Sequence, residues 1–199
     1  MTKATRHLDL GCGYAPRNPL NQSLLYGCDL LDTSGIPEAP SFEYKQVNLV
    51  LDGIPYPDNY FDSVSAFDFI EHVPRQSMDA QGRPTLPFIA LMNEIHRVLV
   101  PDGLLIASTT AFPHAQAFQD PTHVNIITDK THEYFCGDDP YAKRYGFNGR
   151  FHAQRVVFEL GKNVFDRKSS TLTKVLRNFH RRWFKGGQPH LTWELMAKK

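Results

Sequence analysis

Cysteine is scarce in this chain: Cys12, Cys28 and Cys136 are the only three in 199 residues. They are too few and too scattered for a disulfide framework or a Cys-x-x-Cys metal motif, so three reduced thiols in a cytoplasmic protein are expected. Long hydrophobic runs are missing as well. No apolar stretch approaches the ~20 residues of a membrane span, and Met1 to Thr5 has nothing of the signal-peptide type. Nor is there a large excess of one charge, the net being +1. These absences leave a globular protein, and the length suits a single domain over residues 1–199.

The small net charge hides an asymmetry. Residues 167–185 hold Arg167, Lys168, Lys174, Arg177, Arg181, Arg182 and Lys185 and no acidic side chain, leaving 15 basic against 21 acidic residues elsewhere. Within this segment Leu172, Val175, Leu176, Phe179 and Trp183 share one helical face, with Lys174, Arg177, Arg181 and Lys185 opposite. A basic amphipathic helix is expected near 170–185, packed on its own domain with a solvated basic side. Contact with anionic lipid is the alternative. An acidic remainder argues against a nucleic-acid partner.

Elsewhere apolar runs alternate with helical patterns, which predicts βα units and a mostly parallel sheet. Strands are expected at His7–Leu10, Leu24–Asp29, Phe42–Leu49, Phe61–Phe67 and Gly103–Thr109. Leu86, Ile89, Met92, Ile95 and Leu99 recur at helical spacing before the fifth of these, and Pro101-Asp102-Gly103 is read as the stop between them. Phe151–Leu160 and His190–Ala197 form a final pair. Two segments break the rhythm, near 74–87 and 111–150. They are rich in Pro, Gly, His and aromatics, as loops over the ligand crevice of an open α/β sheet would be.

Leu8-Asp9-Leu10-Gly11-Cys12-Gly13 sets two glycines directly after the first strand, where the backbone must turn tightly and approach a ligand. The dinucleotide fingerprint Gly-x-Gly-x-x-Gly is not completed, because Pro16 takes its last place. Asp29 closes the second strand, where a carboxylate can accept both hydroxyls of a ribose. LDLGCG, GCDLLD, LDGIPYPDNYFDSVSAFDFIEHVP and NEIHRVLVPDGLLIAS, in this order over residues 6 to 110, resemble the motifs of class I S-adenosylmethionine-dependent methyltransferases.

The resemblance implies a Rossmann-like, doubly wound, mostly parallel seven-stranded sheet whose last strand is antiparallel and lies beside the fifth. It implies S-adenosyl-L-methionine as cofactor. Asp9, Gly11 and Gly13 would surround its methionine part, Asp29 would hold the ribose and Leu30 would touch the adenine. Asn48 and Leu49 would lie near the adenine amino group, where an Asn carbonyl can stand in for the family Asp. Phe67 would flank the cofactor, with Asp68 beside it, and Glu71-His72 matches a family Glu-His pair. The chain departs from the pattern at Ala15, which replaces a third glycine, and at Asp102, where Gly is frequent. Pro16 and Pro19 leave room for little more than a turn of helix before Leu24. The few residues before the first strand leave no room for the family's N-terminal helix.

For chemistry the loop after the fifth strand is the natural source. His114, Asp120 and His123 cluster there, in a segment whose Asp-Pro-Thr-His resembles one in bacterial methyltransferases of surface-glycan and small-metabolite pathways. His123 is read as the general base and Asp120 as its orienting partner or an acceptor contact; a local hydrogen-bonded turn is the plainer alternative. A metal set of His114, Asp120 and His123, with His132, matches no standard spacing, and no metal is expected. Tyr134, Phe135, Tyr141, Tyr145 and Phe147 line an acceptor pocket or anchor the core. The expected function is methyl transfer to an oxygen, before nitrogen, of a small molecule or glycan-type acceptor. A non-catalytic cofactor-binding partner is the rival.

Overall fold

The computed structural model describes residues 4–35, 39–159 and 188–199. The basic helix expected near 170–185 therefore lies outside the described residues. In chain order the strands are β1 (Arg6–Leu10), β2 (Leu24–Asp29), β3 (Phe42–Gln46), β4 (Phe61–Phe67), β5 (Ser77–Met78), β6 (Pro84–Thr85), β7 (Leu99–Thr110), β8 (Phe151–Glu159) and β9 (His190–Ala197). The helices are α1 (Pro87–Val98) and the single turn α2 (Gln116–Gln119). Strands β5 and β6 pair only with each other; the other seven form one sheet in the order β3-β2-β1-β4-β7-β9-β8. Pairing is parallel from β3 across to β7, and β9 runs antiparallel between β7 and β8. Strand order and the inserted antiparallel last strand are as expected.

Successive side chains of a strand point to opposite faces, and the register carries this across the sheet. Leu8 and Leu10 align with Val64 and Ala66, then Leu105 and Ala107, then Leu195 and Trp193, all buried in the main core. His7, Asp9, Ser63, Ser65, Ser108, Thr192 and Glu194 occupy the opposite face, and they too are buried.

Helix α1 buries Leu91, Met92, Ile95 and Val98. Leu86 before it supplies no side-chain cap, Pro87 at the first position has no amide to satisfy, and the Phe88 N–H donates to Pro74 O at 3.1 Å. At about 1.5–3 kcal/mol for each buried side chain, packing outweighs the ~1 kcal/mol a cap would add. The helix stops at Val98, before Pro101, because a residue preceding proline, here Val100, is steered away from α conformation. β7 therefore starts four residues earlier than expected and absorbs Pro101-Asp102-Gly103 as a register shift against β4. Asp102 adopts φ 60°, in the left-handed region where the family's frequent Gly would sit without strain.

The helical layer differs most from expectation. Among the described residues α1 is the only α-helix longer than one turn, and residues 11–23 between β1 and β2 contain no helix at all. Pro16 and Pro19 account for this, since neither can donate to a helical ladder. Arg17 and Leu20 from this connection lie on the polar face instead, against Phe67.

Candidate active site

The parallel strands end at a common edge, and the loops leaving it carry most of the residues singled out above. After β1, Gly11 (φ 63°) and Gly13 (φ 55°) turn the chain sharply. Gly11 N–H donates to Cys28 O at 2.8 Å, and a Cβ at Gly11 would lie 2.5 Å from Phe69 Cδ2. At Gly13, by contrast, nothing lies within 4 Å of a Cβ. The turn is thus closed beneath and open above, a cradle a ligand can approach.

Asp29, at the end of β2, fastens that cradle. Its Oδ2 accepts from Gly13 N–H at 2.8 Å and its Oδ1 from Leu31 N–H at 3.2 Å. A carboxylate has about four acceptor positions, so two of them remain for a ribose. Leu30 beside it is exposed. Asp9, Leu49 and Phe67 are buried, so their side chains support the edge from beneath; Phe67 lies under the Arg17 guanidinium, 4.6 Å from the ring centroid. The Asn48 carbonyl, expected to meet an adenine amino group, already accepts from the Val50 and Leu51 amides of its own turn, at 3.0 and 3.2 Å.

Below the cradle runs a buried polar line. Ser65 O–H donates to Asp9 Oδ1 at 2.6 Å, so its oxygen is left to accept from His7 Nε2–H at 2.8 Å. His7 Nδ1 then accepts from Ser63 O–H at 2.7 Å, which fixes the tautomer. Asp9 Oδ2 accepts from Arg17 N–H. Burial lowers the His7 pKa to about 4 and raises that of Asp9 to about 6. Burial likewise pushes the Cys12, Cys28 and Cys136 thiols up to about 12, so none is a thiolate nucleophile at neutral pH.

These shifts predict opposing pH dependences. The folded pKa of His7 is depressed, so its contribution is complete above about 6.5 and is lost as pH falls towards 4. The folded pKa of Asp9 is raised, so its contribution is present below about 4 and is lost as pH rises to 6. Each amounts to about 3 kcal/mol, and in the wild type they largely offset between pH 4 and 6. His7→Gln removes one slope. Denaturant unfolding of this variant should show stability falling by about 3 kcal/mol relative to wild type as pH rises from 4 to 6.5; an unchanged difference would remove His7 from this account.

The second half of the edge is built from β4 and β7. Beyond β4, Ile70–His72 forms one 3-10 turn, and the segment after β7 returns to it. Asn125 clamps the two together: its Nδ2 donates to Ile70 O at 3.0 Å, its N–H donates to Glu71 O at 2.9 Å, and its Oδ1 accepts from Arg75 Nε at 2.7 Å. His72 and His123 are thereby set edge to face, ring centroids 4.8 Å apart.

Asp120 holds His72 rather than His123. Thr122 donates both its N–H and its O–H to Asp120 Oδ1, at 2.8 and 2.6 Å, and these bonds keep the carboxylate below its usual pKa. With its proton committed, the Thr122 hydroxyl accepts from His72 Nδ1–H at 2.9 Å, which leaves His72 Nε2 with a bare lone pair. His123 lies farther from Asp120, Nε2 to Oδ2 3.9 Å. His72 was legible only as half of a family pair, because its partners are fifty residues away in sequence. His114 stands apart, its Nδ1 accepting from Gln116 N–H in its own turn, and His132 packs against Trp193. Of the expected aromatics, Phe135 and Phe147 are core, packed edge to face at 5.2 Å. Tyr134 and Tyr145, with Phe135 behind them, border a cavity of about 450 Å³ with Arg75, Phe88 and Lys130. Tyr141 is exposed.

Residues 8–107, half of the chain, match the family described as methyltransferase domain. In structure the chain is similar to an S-adenosylmethionine-dependent methyltransferase from Archaeoglobus fulgidus, at 16% identity and TM-score 0.58, over 98% of this chain and 86% of that one. It is also similar to the N-methyltransferase NodS from Bradyrhizobium japonicum (10%, TM-score 0.54, 98% and 86%) and to the cyclase SpnF (14%, TM-score 0.58, 98% and 76%). No curated protein matches. At these identities the structural likenesses show the fold alone; the match over residues 8–107 shows the family. No helix among the described residues is long and apolar enough to cross a membrane. With the glycine cradle, the carboxylate beside it and the strand order all in place, the chain belongs to the methyltransferase-domain family, as an enzyme whose cofactor is S-adenosylmethionine.

Proposed function

We propose that the enzyme methylates an oxygen of a small-molecule or glycan-type acceptor held against His72 and His123. The observation that carries this reading is the bare His72 Nε2, fixed by Thr122 and Asp120 and facing the His123 ring across the strand edge. A hydroxyl acceptor must lose or share its proton to become a good nucleophile, and imidazole nitrogens serve that need near neutral pH. The cavity beside Arg75 and Lys130 is of the size that takes a small ligand. Arg75 also binds Asn125, so the same loop borders cavity and imidazole pair.

On the cofactor side, Gly11, Gly13, Asp29 and Leu30 line the groove, with Asn48 at its far end and Asp9, Leu49 and Phe67 beneath. S-adenosylmethionine supplies an already activated methyl group. The protein therefore has chiefly to orient the acceptor and manage its proton. His123, with Asp120 next to it, engages the acceptor hydroxyl, and His114 steadies the loop that carries them.

The test is transfer of labelled methyl from S-adenosylmethionine to paired acceptors that differ only in hydroxyl against amine. Label on the hydroxyl compounds is expected, and label confined to amines would overturn the reading. A second measurement checks the cradle. Gly13→Ala puts a methyl group into the open side of the turn at positive φ, at a cost of about 1–2 kcal/mol in stability. S-adenosylhomocysteine affinity should fall by about tenfold or more, since a contact made by backbone approach is blocked. Unchanged affinity in the folded variant would mean that nothing binds above Gly13.

A further inference from the structure

The geometry points to a divalent transition-metal site formed by the Glu71 carboxylate, His72 Nε2 and the His123 imidazole. One ligand atom from each lies within 4.8 Å of the others, a spacing that side-chain rotation within the fixed backbone frame brings to metal–ligand distances of about 2.0–2.2 Å. Glu71 is 1% exposed, yet neither carboxylate oxygen has a hydrogen-bond partner among the described residues. The nearby Thr109 hydroxyl donates to Thr110 O instead. A buried carboxylate is normally paired, hydrogen-bonded or bound to a metal.

The surroundings fit a metal more closely than a plain ion pair. A ligating imidazole commonly donates its second N–H to a fixed acceptor, which sets ring and tautomer. His72 does this through Thr122, itself anchored on Asp120. The clamp by Asn125 holds the Glu71–His72 turn against the His123 segment, so the three ligands arrive from two separate stretches of chain. Two imidazoles with one carboxylate favour zinc, iron(II) or cobalt(II) over magnesium or calcium, and three protein ligands leave room for an outside oxygen. This ligand set differs from the spacing-based grouping of His114, Asp120, His123 and His132, of which it keeps only His123. The metal site stands on these residues alone and takes up the His72 Nε2 lone pair, so an acceptor hydroxyl would there meet the open side of the ion instead; that this side faces an acceptor rests on the reading of the preceding subsection.

The experiment is cobalt(II) titration of the full chain after chelator treatment, followed by visible absorption, with zinc(II) competition and thermal melting beside it. One ion per chain is expected, with d–d bands displaced by zinc and a melting temperature raised by bound metal. His72→Ala, His123→Ala and Glu71→Gln should each weaken binding by about a hundredfold or more, and Thr122→Val by about tenfold, through the lost orientation of His72. Should the Glu71 variant fail to fold, the two histidine variants and Thr122→Val decide. Absence of cobalt bands, or binding that survives in both histidine variants, would overturn the site. S-adenosylhomocysteine affinity, measured in parallel without metal, tests the methyltransferase reading separately.

Discussion

Asp29→Ala is expected to weaken S-adenosylhomocysteine binding by about 2–4 kcal/mol, roughly thirty- to a thousandfold, in a protein that stays folded. The fold should survive because β2 is held on both sides by ladders with β1 and β3, to which the Asp29 side chain adds nothing. The loss has two sources. A charge-assisted acceptor for ribose hydroxyls disappears, and the Gly13 and Leu31 amides lose the carboxylate that fixes the cradle. Asp29→Asn separates them: it keeps one acceptor oxygen while dropping the charge, so its loss should fall between wild type and the Ala variant. Calorimetry on the three proteins reads this directly. Equal affinity in wild type and a folded Asp29→Ala variant would remove the residue from the cofactor site.

His123→Ala should lower turnover by about a hundredfold or more, the usual loss when a positioned proton-handling or acceptor-binding group is removed, with cofactor affinity nearly unchanged. The separation is structural. His123 sits on the loop after β7, beside His72 and Thr110, whereas the cofactor cradle is built on β1 and β2. Single-turnover and steady-state kinetics, with S-adenosylhomocysteine affinity measured on the same preparation, give both readouts. Near-normal turnover would exclude the residue from the reaction, and a joint collapse of turnover and cofactor affinity would make it structural.

What could be read from the sequence divides along physical lines. Strands β1, β2 and β4 were legible because each is a short apolar run closed by Gly or Asp, and β2, β4 and β9 coincide with the expected bounds. The start of β7 was not, since apolar residues on either side of Val98 suit helix and strand equally. The steric effect of Pro101 on Val100, rather than periodicity, decides it. The turn after β1 and its tie to Asp29 were visible through Gly11, Gly13 and Asp29, where spacing along the chain is the geometry.

The acceptor edge depends instead on residues distant in sequence. Asp120 lies three positions from His123, and sequence proximity suggested that pair, yet Thr122 delivers Asp120 to His72. The Asp-Pro-Thr-His segment is a local hydrogen-bonded turn that also carries the bond to His72. Aromatic content could not sort Phe135 and Phe147, which are buried, from Tyr134 and Tyr145, which are exposed at a cavity wall. Their phenol hydroxyls explain the outcome, because a tyrosine at a boundary keeps its polar end wet.

For the acceptor site proposed at His72 and His123, the Asn125 clamp has a consequence for how an acceptor would be chosen. Loops over strand ends commonly act as lids, selecting a ligand by closing around it. Here three hydrogen bonds from one buried amide side chain and its backbone lock the returning loop to the turn after β4. The frame around His72 and His123 is therefore set before anything arrives. Recognition becomes a comparison between a rigid outline and an incoming shape, so little ordering entropy is spent on the loop at encounter. On that proposal, a substrate that does not match would be turned away at first contact instead of being trapped and released.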